Sequence, residues 1–178
     1  RPRRDPEPSA RKRWSAGVMT APFHEGLAVR ELQGQLRDLL SLAVVGDHVR
    51  WVLTGDQAVE LADWLAEATA EWRSWANQVA THLVRLGVAP DGRVRSLAKD
   101  NPIQWVPEGR LDRDDARRLI ADRLRTAAEW ARYRRSRATA ADAVQLLDAV
   151  CAGLDAQADA WRAMAVTKSA LERTLNSR

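Results

Sequence analysis

Cysteine is nearly absent from this chain of 178 residues, which has only Cys151. A lone cysteine excludes an intrachain disulfide framework and a cysteine-ligated zinc site. No apolar run approaches the roughly 18 residues that a membrane span needs, and the N-terminus lacks the apolar central stretch of a secretory signal. These absences predict a cytoplasmic protein without a membrane partner.

Catalytic motifs are also scarce. The chain has three histidines and none of the HExxH, GxSxG or GKS/T patterns. Without a nucleophile and a matching base at a recognisable spacing, a hydrolase or a nucleotide hydrolase is not indicated. No motif indicates a cofactor either.

Proline is missing from two long stretches, residues 23–89 and 108–178, although seven prolines occur elsewhere. A proline inside a helix removes a hydrogen bond and clashes with the preceding turn, so such stretches favour long helices. Apolar residues recur there at three-to-four spacing, and no long alternation typical of β-strands is present. The sequence therefore predicts an all-α protein.

Glycines, prolines and acidic residues divide these stretches into helices. Gly87, with Pro90 just beyond it, is expected to end the second helix, and Asp112 is expected to start the helix after the long connection. In the second predicted helix one apolar stripe is expected to face the core; it consists of Leu61, Leu65, Ala68, Trp72, Ala76, Val79 and Leu83. The predicted elements are helices over about 27–53 and 56–86, a long connection over 88–111 with a short helix at 93–99, a helix over about 112–137, and a last helix after residue 139. Two short turns and one long crossover are typical of a ferritin-like four-helix bundle.

The net charge of +4 is unevenly distributed. Residues 1–13 hold six basic and two acidic side chains, which account for the whole excess. We therefore expect a basic N-terminal tail over 1–22, a neutral bundle over 23–166 and a C-terminal tail over 167–178. The basic side chains that could neutralise DNA phosphates are Arg1, Arg3, Arg4, Arg11, Lys12 and Arg13.

Several segments resemble the Dps family of miniferritins. They are LQGQLRDLLSLAVVGDHVRWVLTG (32–55), ATHLVRLGVAPDG (80–92), LIADRLRTAAEW (119–130) and the pair Leu154-Asp155. Trp51 stands where the family has the tryptophan that follows the histidine of its first helix. Gly55 stands at the family's spacing after this tryptophan. The resemblance covers roughly residues 27–165 with almost no gaps.

The resemblance implies a hollow dodecamer that oxidises and stores iron, and it implies DNA binding through basic tails, with nucleoid association. Iron is the metal that it implies. The five ferroxidase ligands that it implies are, in chain order, two histidines, two aspartates and one glutamate. At these positions, however, this chain has Arg50, Ala62, Ala66, Asn77 and Thr81. None of these supplies the carboxylate or imidazole that iron prefers. We therefore expect the family's ferroxidase centre to be absent, and with it the enzymatic activity.

Two alternatives stay open. An iron-oxidising and iron-storing protein could use a relocated metal site made of Asp63, Glu67 and His82. A purely structural subunit could instead co-assemble with an active paralogue. The acidic pores that the resemblance implies for iron entry have Asp142, Asp148 and Asp155 as candidates.

Overall fold

The computed structural model describes residues 23–55, 58–99, 103 and 106–175, and side-chain surroundings only between residues 26 and 162. Within this part the chain forms five helices: α1 (Phe23–Val52), α2 (Ala58–Arg85), α3 (Val94–Leu97), α4 (Arg113–Arg137) and α5 (Ala141–Leu175). The all-α prediction is confirmed, and the four long helices form a ferritin-like bundle. No helix in the described ranges is both long and apolar enough to cross a membrane.

The α1–α2 pair supplies half of the buried apolar residues of the core. All seven residues of the apolar stripe predicted for α2 are buried. Trp72 at its centre is fully buried, and its indole N–H donates to Gln157 Oε1 on α5 at 2.6 Å. Gly46 of α1 faces this ring, because a Cβ there would lie only 2.7 Å from Trp72 Cζ3. The missing side chain therefore allows α1 and α2 to approach closely.

The end of α2 follows the predicted glycine signal. Gly87 has φ +74°, which a residue with a side chain rarely adopts. Its N–H donates to the carbonyl of Val84 at 2.9 Å, and the N–H of Val88 donates to that of Leu83 at 2.9 Å. These two bonds form a Schellman motif, which ends the helix and directs the chain into the crossover.

The long crossover between α2 and α4 is fastened to α1. The Gln33 side chain donates to the carbonyl of Ala89 at 2.8 Å and accepts from the N–H of Asp91 at 2.9 Å. At the far end of the crossover, Leu53 and Leu111 form a parallel β-bridge. These contacts hold the crossover along the outside of α1.

Helices α4 and α5 complete the bundle. Asp112 caps α4, as its acidic character predicts, by accepting the N–H of Asp115 at 2.8 Å. Arg134 forms a buried ion pair with Asp38 of α1, and burial raises the pKa of Asp38, although Arg134 opposes this shift. Helix α5 continues to Leu175, so most of the predicted C-terminal tail over 167–178 is an extension of that helix.

Candidate functional site

The five predicted ferroxidase positions lie on one surface of the α1–α2 pair. Arg50 is in the last turn of α1, and Ala62, Ala66, Asn77 and Thr81 are on α2. At 100° per residue the four α2 positions fall within an arc of about 100°, so they share a side of the helix. Asn77 and Thr81 are exposed, whereas the two alanines are partly buried. We call this surface, together with the exposed Val44, Trp51, Val59 and Val84, the α1–α2 face.

Two arginines and one aspartate form the charged centre of this face. Arg50 Nη1 lies 3.2 Å from Asp47 Oδ1, and Arg73 of α2 pairs with the other oxygen of the same carboxylate. Arg73 follows Ala66 by seven residues and therefore lies on the same side of α2. One carboxylate thus faces two guanidinium groups, which leaves a net positive charge.

The sequence reasoning identified Arg50 at this face but missed Asp47 and Arg73. The spacing of Arg73 from Ala66 was a signal that it shares the helix side, but its pairing with Asp47 depends on how α1 packs against α2. The pairing is therefore a property of the folded hairpin.

Four apolar side chains of the α1–α2 face are open to solvent. Trp51 is 75% exposed, and Val59 is 71% exposed. Val44 is seven residues before Trp51, so both lie on the same side of α1. Val84 is a further exposed apolar side chain near the end of α2, 25 residues after Val59. Tryptophan is among the side chains most enriched at protein interfaces, so Trp51 is the strongest apolar candidate for a contact on this face.

No protein-family model matches the chain. Solved structures with the same arrangement of helices include Dps92 from Deinococcus radiodurans, with a TM-score of 0.75, 20% identity, and coverage of 79% of this chain and 86% of that one. They also include Dps from Microbacterium arborescens in its high iron form, with a TM-score of 0.75, 18% identity, and coverage of 84% and 99%. The chain has the fold of the Dps proteins.

A relative by sequence is the fine tangled pili major subunit of Haemophilus ducreyi. It is 30% identical over 104 residues, which are 58% of this chain and 54% of that protein. The match therefore spans only about half the length of the relative. The resemblance to Dps proteins noted from the sequence is confirmed at the level of the fold.

In this Dps-fold chain the residues of the relocated metal site do not converge. Asp63 and Glu67 are exposed on α2, and His82 is fifteen residues beyond Glu67, a separation of about 22 Å along the helix axis. His82 is buried and lies against Asp142 of α5 instead, with Nε2 and Oδ2 3.5 Å apart. No group of three or more His, Cys, Asp or Glu in the described ranges could hold a metal ion. Within one copy, these three side chains lie too far apart to bind the same metal ion.

The three pore candidates are all on α5 but have different surroundings. Asp148 receives two hydrogen bonds from Arg135 of α4, and this pairing lowers its pKa. Asp155 pairs with Arg132 of α4 at 2.7 Å. Asp142 accepts the N–H of Ala143 at 2.9 Å near the start of α5. Two of the three carboxylates therefore hold α4 and α5 together.

The basic side chains of residues 1–13 lie outside the described residues.

Proposed function

We propose that this chain is a subunit of a Dps-like shell that has lost the ferroxidase centre of the Dps family and contacts DNA through its basic arm, residues 1–13. The observation that carries the proposal is the α1–α2 face of a Dps-fold chain, where Arg50, at a position that the resemblance assigns to an iron ligand, shares the Asp47 carboxylate with Arg73.

The chemistry of this face disfavours iron. Iron binds carboxylate oxygens and imidazole nitrogens, which alanine, asparagine and threonine do not supply. A guanidinium group stays protonated at any physiological pH. Because Arg50 and Arg73 carry two positive charges against the single negative charge of Asp47, the centre of the face repels a divalent cation.

The apolar part of the same face supports self-association. Trp51 and Val59 expose more than two thirds of their surface in the isolated chain, and burial of such surface is the dominant driving force for association. We propose that a second copy of the chain covers this face. Most soluble homo-oligomers have closed symmetry, and the α1–α2 face would serve as a two-fold contact within a dodecamer.

The basic arm supplies the DNA contact in this proposal. Six basic and two acidic side chains give each copy a net charge of +4 over residues 1–13. One arm alone would bind weakly, but a shell displays many arms, and linked weak contacts reinforce one another. Arginine and lysine contacts to phosphates carry no sequence information, so this binding would be sequence-independent and sensitive to salt.

The assembled mass tests the shell. A dodecamer has a mass of about 240 kDa, twelve times the 19.9 kDa of one chain. We expect native mass spectrometry of the purified protein to give this mass. A stable monomer would contradict the shell, and assembly only after addition of a second Dps-fold protein would support the co-assembling structural subunit instead.

A DNA gel shift at about 100 mM salt, where surface charges are screened beyond about 10 Å, tests the arm. One variant lacks residues 1–13. A second variant keeps the length of the arm but replaces its six basic residues by glutamine: Arg1, Arg3, Arg4, Arg11, Lys12 and Arg13. We expect both variants to assemble normally and to lose the shift. An unchanged shift in the deletion variant would exclude the arm as the DNA contact.

The Haemophilus ducreyi relative favours a second candidate function. Its name describes the major subunit of fine tangled pili. An apolar face that binds a different surface of the next copy would give an open filament instead of a closed shell. Electron microscopy of the purified protein separates the two, because closed particles support the shell and fibres support the filament.

A further inference from the structure

A cleft at one end of the bundle is not explained by the proposed shell or by its DNA contact. It lies where the early part of α1, the end of α2 and the turn between α4 and α5 meet, and its volume is about 390 Å³. This volume is within the range of sites that bind small molecules. Its apolar walls are formed by Val29 of α1 and by Leu86 and Val88, which follow α2.

His82 is the buried polar group in this cleft. It is only 8% exposed, and its Nε2 has no hydrogen-bond partner among the described residues. Asp142 Oδ2 is 3.5 Å from Nε2 but does not form a hydrogen bond with it. Because buried polar atoms are almost always hydrogen-bonded, this nitrogen indicates a missing partner in the cleft.

The first turn of α5 contributes hydrogen-bond donors to the same cleft. Ala140 precedes the helix, and its methyl side chain cannot cap the first N–H groups. Asp142 accepts the N–H of Ala143 at 2.9 Å, so the N–H groups that remain for a ligand are those of Ala141 and Asp142. Those groups and the helix dipole favour a negative charge at this end. Arg85, exposed in the last turn of α2, adds a full positive charge at the edge of the cleft.

The walls of the cleft select the kind of anion. Arg85 and the α5 dipole are positive, whereas Asp142 is negative and 65% exposed. Attraction to Arg85 and repulsion by Asp142 both grow in proportion to the charge of the ligand, so the selection among anions rests on the walls of the cleft. The apolar walls formed by Val29, Leu86 and Val88 favour a ligand with a hydrocarbon part.

We propose that this cleft binds a small organic monocarboxylate. The carboxylate lies between Arg85, His82 Nε2 and the first N–H groups of α5, and the hydrocarbon part lies against Val29, Leu86 and Val88. This site is separate from the α1–α2 face and does not depend on the proposed shell or DNA contact.

Hexanoate is the probe, measured by ligand-detected NMR relaxation on the native, assembled protein. Its dissociation constant should be on the order of 1 mM, which is typical of a ligand of about eight non-hydrogen atoms. Acetate and hexanamide serve as comparisons, because acetate lacks the hydrocarbon part and hexanamide lacks the charge. We expect both to bind at least about tenfold more weakly than hexanoate.

Two exposed side chains of the cleft can be changed without disturbing the core. Arg85→Gln should weaken hexanoate about tenfold by removing a charge-assisted hydrogen bond. Leu86→Ser should weaken hexanoate and leave acetate unchanged. The matched control is Arg95→Gln, which removes an equally exposed arginine outside the cleft and should leave hexanoate binding unchanged.

Three results would overturn the proposal. The first is no saturable hexanoate binding at concentrations well above the expected constant. The second is equal binding of hexanoate and hexanamide, which would show that the charge is not recognised. The third is an equal loss in Arg85→Gln and Arg95→Gln, which would show that hexanoate responds only to the overall charge of the protein.

Discussion

Replacement of Trp51 by alanine tests the α1–α2 face as a contact between copies. A tryptophan has a surface of up to about 250 Å², and Trp51 is 75% exposed in the isolated chain. Full coverage by a second copy would therefore bury roughly 190 Å² at this residue, of which an alanine would retain about a third. At about 25 cal/mol per Å², the substitution removes about 3 kcal/mol of association free energy per copy, or more than about a hundredfold in the association constant.

Sedimentation velocity across a dilution series measures this effect. We expect Trp51→Ala to dissociate at protein concentrations where the parent remains assembled, with no loss of helicity by circular dichroism. The matched control is Trp130→Ala, since Trp130 is 41% exposed on α4 and away from the α1–α2 face. If both variants sediment like the parent at every concentration, or if only Trp130→Ala dissociates, the contact does not involve this face.

Two further predictions concern the stability of the bundle. Gly46→Ala should lower the free energy of unfolding by about 1–3 kcal/mol, because its Cβ would lie 2.4 Å from Thr69 Cγ2 in a packed core. The control Gly26→Ala, with no atom within 4 Å of the new Cβ, should instead be neutral or raise stability by about 0.5–1 kcal/mol. Equal melting temperatures for the two variants would contradict the close packing at Gly46. Asp38→Ala should destabilise the fold by about 3–5 kcal/mol, because it leaves the buried Arg134 without its carboxylate. A loss below about 1 kcal/mol in chemical denaturation, the range of an exposed ion pair, would show that this ion pair is open to solvent.

The helices of this fold are readable from the sequence because their signals are local. Each of these signals depends only on a few neighbouring residues: the positions of proline, the apolar stripe of α2, and Gly87. Each of these predictions is confirmed by the structure. The extension of α5 to Leu175 had such a signal too, since no proline interrupts residues 108–178. The prediction of a tail therefore underestimated the length of this helix.

The contacts between elements could not be derived in the same way. Arg73 reaches Asp47 only because α1 and α2 pack side by side, and His82 meets Asp142 only because the end of α2 lies beside the start of α5. From the sequence, His82 belonged only to an alternative metal site, and Asp142 was only a candidate for a pore. Distances between residues far apart in the chain depend on packing, which periodicity does not encode.

A variant with the ligand types of the family supplies the positive control for iron chemistry. It carries the five substitutions that the resemblance suggests, namely Arg50→His, Ala62→His, Ala66→Asp, Asn77→Asp and Thr81→Glu. These changes add imidazole and carboxylate groups to the α1–α2 face and remove one guanidinium. We expect this variant to oxidise Fe(II) faster than the parent once it is assembled.

A Dps-fold shell without a ferroxidase centre should not accelerate the oxidation of Fe(II) in air, which ultraviolet absorbance follows. We expect the assembled parent and Glu67→Ala both to oxidise Fe(II) at the rate of a protein-free solution. Oxidation that depends on the parent protein would show that the chain has a working ferroxidase centre. Its loss in Glu67→Ala would then identify the relocated site of Asp63, Glu67 and His82 as the source.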